Sequence, residues 1–226
     1  MSRSSSTTSP STLPERATRT GRTALPQSRE RLAVDDVSPM LFLGEFFRSP
    51  LRIGALYQSP PRIARALAVE LGLESAAAVA EFGPGTGPVT REILSRIPAD
   101  CRFFAVERNR RLARAFRTRF PGVTLYEDSA EHVRELCGKS GIDRLDAVVT
   151  SIPWIVLPPS VQESMLLETT AMLRPGGRFN MITYRSPSSV LVRRMMAQLQ
   201  RHFSVVEPNI KVRSRVSSAF ICRCTK

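Results

Sequence analysis

The sequence predicts an α/β fold: a mostly parallel sheet covered by helices on both faces. Three observations carry that expectation. From about residue 61 onward short apolar runs alternate with helical patterns, the order that strand-helix-strand units impose. The first run, Ala78-Val79-Ala80-Glu81-Phe82, passes directly into Gly83-Pro84-Gly85-Thr86-Gly87. A strand-to-helix turn this rich in glycine lets the backbone approach a ligand where a Cβ would intrude. Finally, three successive strands end in carboxylates, at Glu81, at Glu107 and at Glu127-Asp128.

In chain order, residues 1–37 are rich in Ser, Thr, Arg and Pro. Too few apolar groups are present to offset the entropy of ordering them, so a disordered basic tail is expected there. Residues 38–226 are expected to form the domain. It opens at Ser38-Pro39, a helix cap followed by proline at the first helical position. The helix at 40–48 holds six large apolar residues in nine positions and stops before Pro50. It is apolar around most of its girth. Either it docks as an extra core helix, or Phe42, Phe46 and Phe47 enter the interfacial zone of a bilayer with Arg48 and Arg52 at headgroup level.

A helix at 61–71 leads into the strand 78–82. The helix at 88–94 follows, its amide-rich start facing the glycine turn. Then come a strand at 102–106, an arginine-rich helix at 109–120, and strands at 123–126 and 146–150. A helix at 160–173 closes at Arg174-Pro175-Gly176-Gly177. The strand 178–184, a helix at 188–201 and strands at 203–206 and 217–222 complete the pattern. That makes seven strands, the last pair an antiparallel hairpin.

Hydrophobic residues make up 42% of the 226, enough for one full core but hardly two. The net charge of +13 implies attraction to phosphate-bearing surfaces, nucleic acid or anionic lipid. Genome base composition can set the ratio of 30 arginines to 3 lysines, so the charge excess carries the inference. Cys101, Cys137, Cys222 and Cys224 form no metal-ligand pattern with His132 and His202, and are expected to be reduced thiols in a cytoplasmic protein. No apolar run of about 18 residues and no signal-peptide core is present.

The glycine spacing separates two ligand classes. Dinucleotide-binding dehydrogenases use Gly-x-Gly-x-x-Gly, whereas Gly83, Gly85 and Gly87 alternate strictly behind Glu81. In this the chain resembles the class I S-adenosylmethionine-dependent methyltransferases. The resemblance implies a Rossmann-like seven-stranded methyltransferase sheet and S-adenosyl-L-methionine as cofactor, with no metal. By likeness Glu81 would serve the amino end of the cofactor beside Gly83, Gly85 and Gly87. Glu107 would serve the ribose, Asp128 the adenine amino group, and Ser129 and Ala130 the surroundings of the ring. Glu107 also has a simpler reading as a solvated strand-end charge.

The reacting corner is expected at the end of the fourth strand, Thr150-Ser151-Ile152-Pro153-Trp154. Pro153 fixes the turn and lacks a donor, leaving the carbonyls before it to act as acceptors. Trp154 either offers its face to a cationic amine or is a core tryptophan. With Ser151 these describe a seat for a nitrogen nucleophile. Tyr57 and Tyr184 are candidates for guiding a proton out, or are packed aromatics.

Two subfamilies share these features. Ribosomal RNA adenine dimethyltransferases show an Asn-x-Pro-aromatic corner and a helical domain after the sheet. Here Ser151 replaces the Asn, and only about 40 residues follow Tyr184. The chain is more similar to bacterial phospholipid N-methyltransferases and their relatives acting on ornithine lipids, from about residue 41 to 184. The likeness runs through Phe42-Leu43-Gly44-Glu45-Phe46-Phe47, Ile53-Gly54-Ala55, the Glu81 to Gly87 turn, Ser151-Ile152-Pro153 and Thr183-Tyr184. It departs at the corner, which in that family usually reads Ser-Gly-x-Pro. The resemblance implies an N-methyltransferase for the amine headgroup of a membrane lipid, peripheral at the inner face of the membrane. Its partners would be an anionic membrane surface and an amine-bearing lipid, with nucleic acid the less favoured. The alternative is an RNA adenine N6-methyltransferase.

Overall fold

The computed structural model describes residues 60–207, 210–213 and 218–226. The expected tail at 1–37, the helix at 40–48, Arg52 and Tyr57 lie outside the described residues. Within them the strands are β1 (Ala78–Phe82), β2 (Arg102–Val106), β3 (Thr124–Tyr126), β4 (Leu145–Thr150), β5 (Leu173–Thr183), β6 (Val205–Val206), β7 (Ile210–Arg213) and β8 (Ser218–Thr225). The helices are α1 (Pro61–Ala68), α2 (Pro88–Leu94), α3 (Arg110–Arg119), α4 (Val133–Lys139), α5 (Pro159–Met172) and α6 (Val190–His202).

The strands form one sheet in the order β3-β2-β1-β4-β5-β8-β6, with β7 also paired to β8. The first five run parallel. β8 is antiparallel to β5, and β6 and β7 are antiparallel to β8. The expected Rossmann-like architecture is therefore present, with eight strands in place of the expected seven. The extra one is β7, missed because four residues of the pattern Ile-Lys-Val-Arg are a short signal. β6 pairs at Val205↔Thr225 and β7 at Ile210↔Ile221, so the two share one edge of β8 as a single interrupted strand. Seven strand positions result.

Two further departures have local causes. α4 was not expected; it is seven residues long and buries Val133, Leu136 and Cys137. β5 begins at Leu173 because the register passes from Leu145↔Leu173 to Ala147↔Arg178. Arg174-Pro175-Gly176-Gly177 thus bulges out of the ladder. Lys226 stitches the bulge down, donating its amide to the Gly177 carbonyl and accepting from the Gly176 amide, both at 3.0 Å.

Side-chain alternation along β1 divides the core. Ala78, Ala80 and Phe82 face a cluster built with α4, α5 and α6. Val79 faces a second cluster built with α1 and α2. α1 presents Ile63, Ala64, Leu67 and Ala68 as one buried stripe. It stops at Ala68, short of the expected residue 71, and Glu70 beyond it takes φ +60°. Buried Asn180 of β5 donates to the Leu67 and Val69 carbonyls at 2.9 and 3.0 Å. Arg223 of β8 donates to the Glu70 carboxylate at 2.5 Å. The Leu67 and Val69 carbonyls that the helix end leaves unpaired are thus satisfied from the sheet.

Candidate active site

The ladder continues one residue past the carboxyl ends of the central strands. Gly83 donates its amide to the Val106 carbonyl at 2.8 Å, Glu107 to Tyr126 at 2.9 Å, and Ser151 to Phe82 at 3.0 Å. Gly83, Glu107 and Ser151 therefore sit side by side at one sheet edge, where ligands bind in open α/β folds.

The glycine turn uses each glycine differently. Gly83, Gly85 and Gly87 all have positive φ, at +68°, +56° and +83°, a region that side chains make costly. A Cβ on Gly83 would lie 2.8 Å from Ile152 Cγ1, and one on Gly87 would lie 2.0 Å from the Phe120 ring. Those two glycines are required by packing. A Cβ on Gly85 would meet nothing within 4 Å. Gly85 thus presents bare backbone to open space, as a cradle for a ligand does.

Glu107 closes over the turn. Its Oε2 accepts from the Gly85 amide at 3.3 Å and its Oε1 from the Asn109 amide at 2.8 Å. Burial raises its pKa, and those two amides oppose the rise. Asn109 was not among the expected site residues. Its side chain also caps α3, accepting from the Arg111 and Leu112 amides at 3.0 and 3.1 Å. An asparagine two residues after a strand-end carboxylate was the available signal.

Glu81 lies beneath the turn. It shares the parity of Val79, so its side chain points toward α2 and is fully buried. Thr90 donates its hydroxyl to Glu81 Oε2 at 2.6 Å, while Oε1 has no partner among the described residues. Burial, with a smaller contribution from the Glu107 charge, pushes its pKa up to about 8 against the pull of Thr90. At neutral pH Glu81 is mainly a neutral acid beneath the turn.

Asp128 follows β3. Its Oδ1 accepts from the Ser129 amide at 2.7 Å and lies 2.7 Å from His132 Nδ1. The bond from His132 lowers its pKa. The Ser129 hydroxyl donates to Glu131 Oε2 at 3.1 Å, and Ala130 is buried in the cluster beneath.

The corner after β4 requires corrections. Trp154 does not offer its face to a ligand: it is fully buried, its ring edge-on to Phe179 with centroids 5.6 Å apart. Its indole N–H donates to the Thr150 hydroxyl at 2.8 Å. The 3-10 turn Trp154–Val156 carries the ring down into the α5 and α6 side of the core. That turn also consumes a carbonyl expected to be free, since the Trp154 amide takes the Ile152 carbonyl at 2.9 Å, and Val156 takes that of Pro153 at 3.1 Å. Gln162 of α5 pins the turn, donating to the Trp154 and Leu157 carbonyls at 2.8 and 2.9 Å. Ser151 is different. Its hydroxyl oxygen is buried and has no partner among the described residues. Tyr184 follows β5, partly buried against the α1 and α2 cluster, on the other face from Trp154.

Known proteins sharpen the assignment. No family model matches the chain. An ornithine lipid N-methyltransferase from Singulisphaera acidiphila is 35% identical over 146 residues, covering 63% of this chain and 76% of that protein. The chain belongs to the class I S-adenosylmethionine-dependent methyltransferases. Solved structures of this class share the fold at low identity. The magnesium protoporphyrin IX methyltransferase of Synechocystis PCC 6803, with S-adenosylmethionine bound, superposes with a TM-score of 0.62 at 9% identity over 84% of this chain and 98% of that one. The N-methyltransferase NodS of Bradyrhizobium japonicum WM9, with S-adenosylhomocysteine, gives 0.57 at 15% over 76% and 90%. TrmN of Thermus thermophilus gives 0.60 at 18% over 76% of this chain. The chain spans about half the length of TrmN, 51%.

The residues present fit the methyltransferase cofactor. A nucleoside offers hydroxyl and amino donors. This edge offers the Glu107 and Asp128 carboxylates as acceptors, with open space over the Gly85 backbone between the strand ends.

Proposed function

We propose that this methyltransferase acts on nitrogen, transferring a methyl group to the amine headgroup of a membrane lipid, with ornithine lipid as the leading substrate and phosphatidylethanolamine and its methylated forms next. The observation that carries this reading is the 35% identity to the ornithine lipid N-methyltransferase across 76% of its length. The serine-led corner and the charge of +13 support it. An anionic bilayer would attract such a chain at about 1 kcal/mol per arginine near the surface.

Bound S-adenosylmethionine supplies an electrophilic methyl group on a sulfonium. The protein's own residues must orient the amine and deal with its proton. An alkyl ammonium with a pKa near 10 costs about 4 kcal/mol to neutralise at pH 7. The Ser151 hydroxyl, held at the sheet edge by the bond from its amide to Phe82, is the group we assign to receiving an amine N–H there. Orientation by the corner supplies much of the remaining acceleration. The apolar segment with Phe42, Phe46 and Phe47, flanked by Arg48 and Arg52, would attach the enzyme to the cytoplasmic face of the membrane. Among the described residues no helix is long and apolar enough to cross it.

The test is incubation with methyl-labelled cofactor and liposomes containing ornithine lipid, phosphatidylethanolamine or neither, with RNA in parallel. Label in the lipid extract is expected. Label in RNA alone would replace this reading by the RNA adenine one, and no label in lipid would sink it. Phe46→Asp with Phe47→Asp is expected to abolish liposome binding while cofactor binding persists.

A further inference from the structure

The Asp128 carboxylate is used on one side only. Oδ1 takes the Ser129 amide and His132 Nδ1, each at 2.7 Å, while Oδ2 takes no hydrogen bond among the described residues. Two donors converging on one oxygen fix the plane of a carboxylate and leave its second oxygen to an incoming donor. The Ser129 amide is adjacent in the chain and comes with the backbone. The His132 ring is brought there by the 3-10 turn Ala130–His132, closed by the bond from the His132 amide to the Ser129 carbonyl at 3.1 Å. The His132 side chain is 55% exposed and that of Asp128 33%. A ring so open fills no core, and Asp128 is its side-chain partner.

We propose that His132 is a positioning residue for nucleobase specificity: by holding Oδ1 it keeps Oδ2 free for the exocyclic amine of adenine, so that a purine lacking that donor is rejected. The proposal rests on the reading of Asp128 as the adenine-binding carboxylate. A 6-amino purine donates to such an oxygen. A 6-oxo purine sets its own lone pairs against it, and an acceptor left facing another acceptor discriminates against that base. Without His132 one donor remains on Oδ1, so the loss should be partial.

Calorimetric titration of the full chain with S-adenosylhomocysteine and with its 6-oxo analogue, S-inosylhomocysteine, tests this without turnover. The wild type should prefer the adenosyl compound by about tenfold or more, the scale of one charge-assisted hydrogen bond. His132→Ala should reduce that preference about threefold by weakening the adenosyl compound alone, the scale of one partly exposed side-chain hydrogen bond. His132→Asn, whose amide can stand where Nδ1 stands, should restore it. Asp128→Ala should abolish it. An unchanged preference in His132→Ala, beside its loss in Asp128→Ala, overturns the role of His132 and leaves the adenine reading intact. A preference that survives Asp128→Ala overturns the adenine reading and the proposal with it. Equal weakening of both ligands by His132→Ala would mark a purely structural residue and overturns the proposal.

Discussion

Glu107 Oε2 accepts the Gly85 amide at 3.3 Å, tying the glycine turn after β1 to the end of β2. The same carboxylate holds the Asn109 amide through Oε1 at 2.8 Å. A residue expected to serve the ribose is thus also a strut of the cradle. Glu107→Gln keeps the shape but leaves one accepting oxygen for two amides. Affinity for S-adenosylhomocysteine should fall about tenfold or more, measured by calorimetry. Unchanged affinity would remove Glu107 from the cofactor site.

Gly85 and Gly87 should respond oppositely to alanine. Gly87→Ala drives a methyl group to 2.0 Å from the Phe120 ring at φ +83°, and should lower stability by about 2–4 kcal/mol. Gly85→Ala meets no protein atom within 4 Å and should cost only about 1 kcal/mol of backbone strain. Its methyl group would instead occupy the cradle. Thermal melts and cofactor titrations of both variants separate the two roles: Gly87→Ala unfolds more readily, and Gly85→Ala melts near the wild type but binds cofactor poorly.

Glu81 should give stability a specific dependence on pH. Unfolded, its carboxyl ionises near 4.5; folded, it holds its proton up to about 8. Between those values the folded state binds more protons, so stability contributed by Glu81 is full below 4.5, falls as pH rises, and levels above about 8. The slope approaches at most about 1.4 kcal/mol per pH unit. Denaturant unfolding of wild type and Glu81→Gln from pH 5 to 9 should show curves that diverge with rising pH, the variant gaining relative to the wild type. Parallel curves would contradict a buried neutral acid.

Trp154→Ala should behave as a core deletion, losing about 3–5 kcal/mol of stability. Trp154→Phe retains most of the burial but leaves the Thr150 hydroxyl without its indole donor. It should lose about 1 kcal/mol and keep KM for the acceptor. A Trp154→Phe protein of normal stability with a large rise in acceptor KM would restore the aromatic-face expectation.

Ser151→Ala should lower kcat for methyl transfer by about tenfold or more while cofactor affinity holds, because the lost hydroxyl serves the acceptor. Steady-state kinetics beside a cofactor titration read both. Equal loss of cofactor binding would make Ser151 part of the cofactor wall.

The strict alternation of Gly83, Gly85 and Gly87 behind a strand, and the carboxylates closing three strands in succession, determined the fold class and the cofactor and put those residues at the carboxyl ends of the strands. Local sequence suffices for these because strand period, positive φ and strand-end position are set within a few residues. Tertiary structure alone decided the surroundings of each side chain. Trp154 looked free to face a ligand until a 3-10 turn, pinned by Gln162 from another helix, folded its ring into the core. Glu81 became a buried acid with one oxygen held by Thr90 only when α2 packed over β1. Asp128 gained His132 through the turn that starts α4, an element the sequence did not announce. For Trp154 and Glu81 burial and a hydrogen-bond partner brought by the fold set the surroundings, and neither is written in the spacing of residues along the chain.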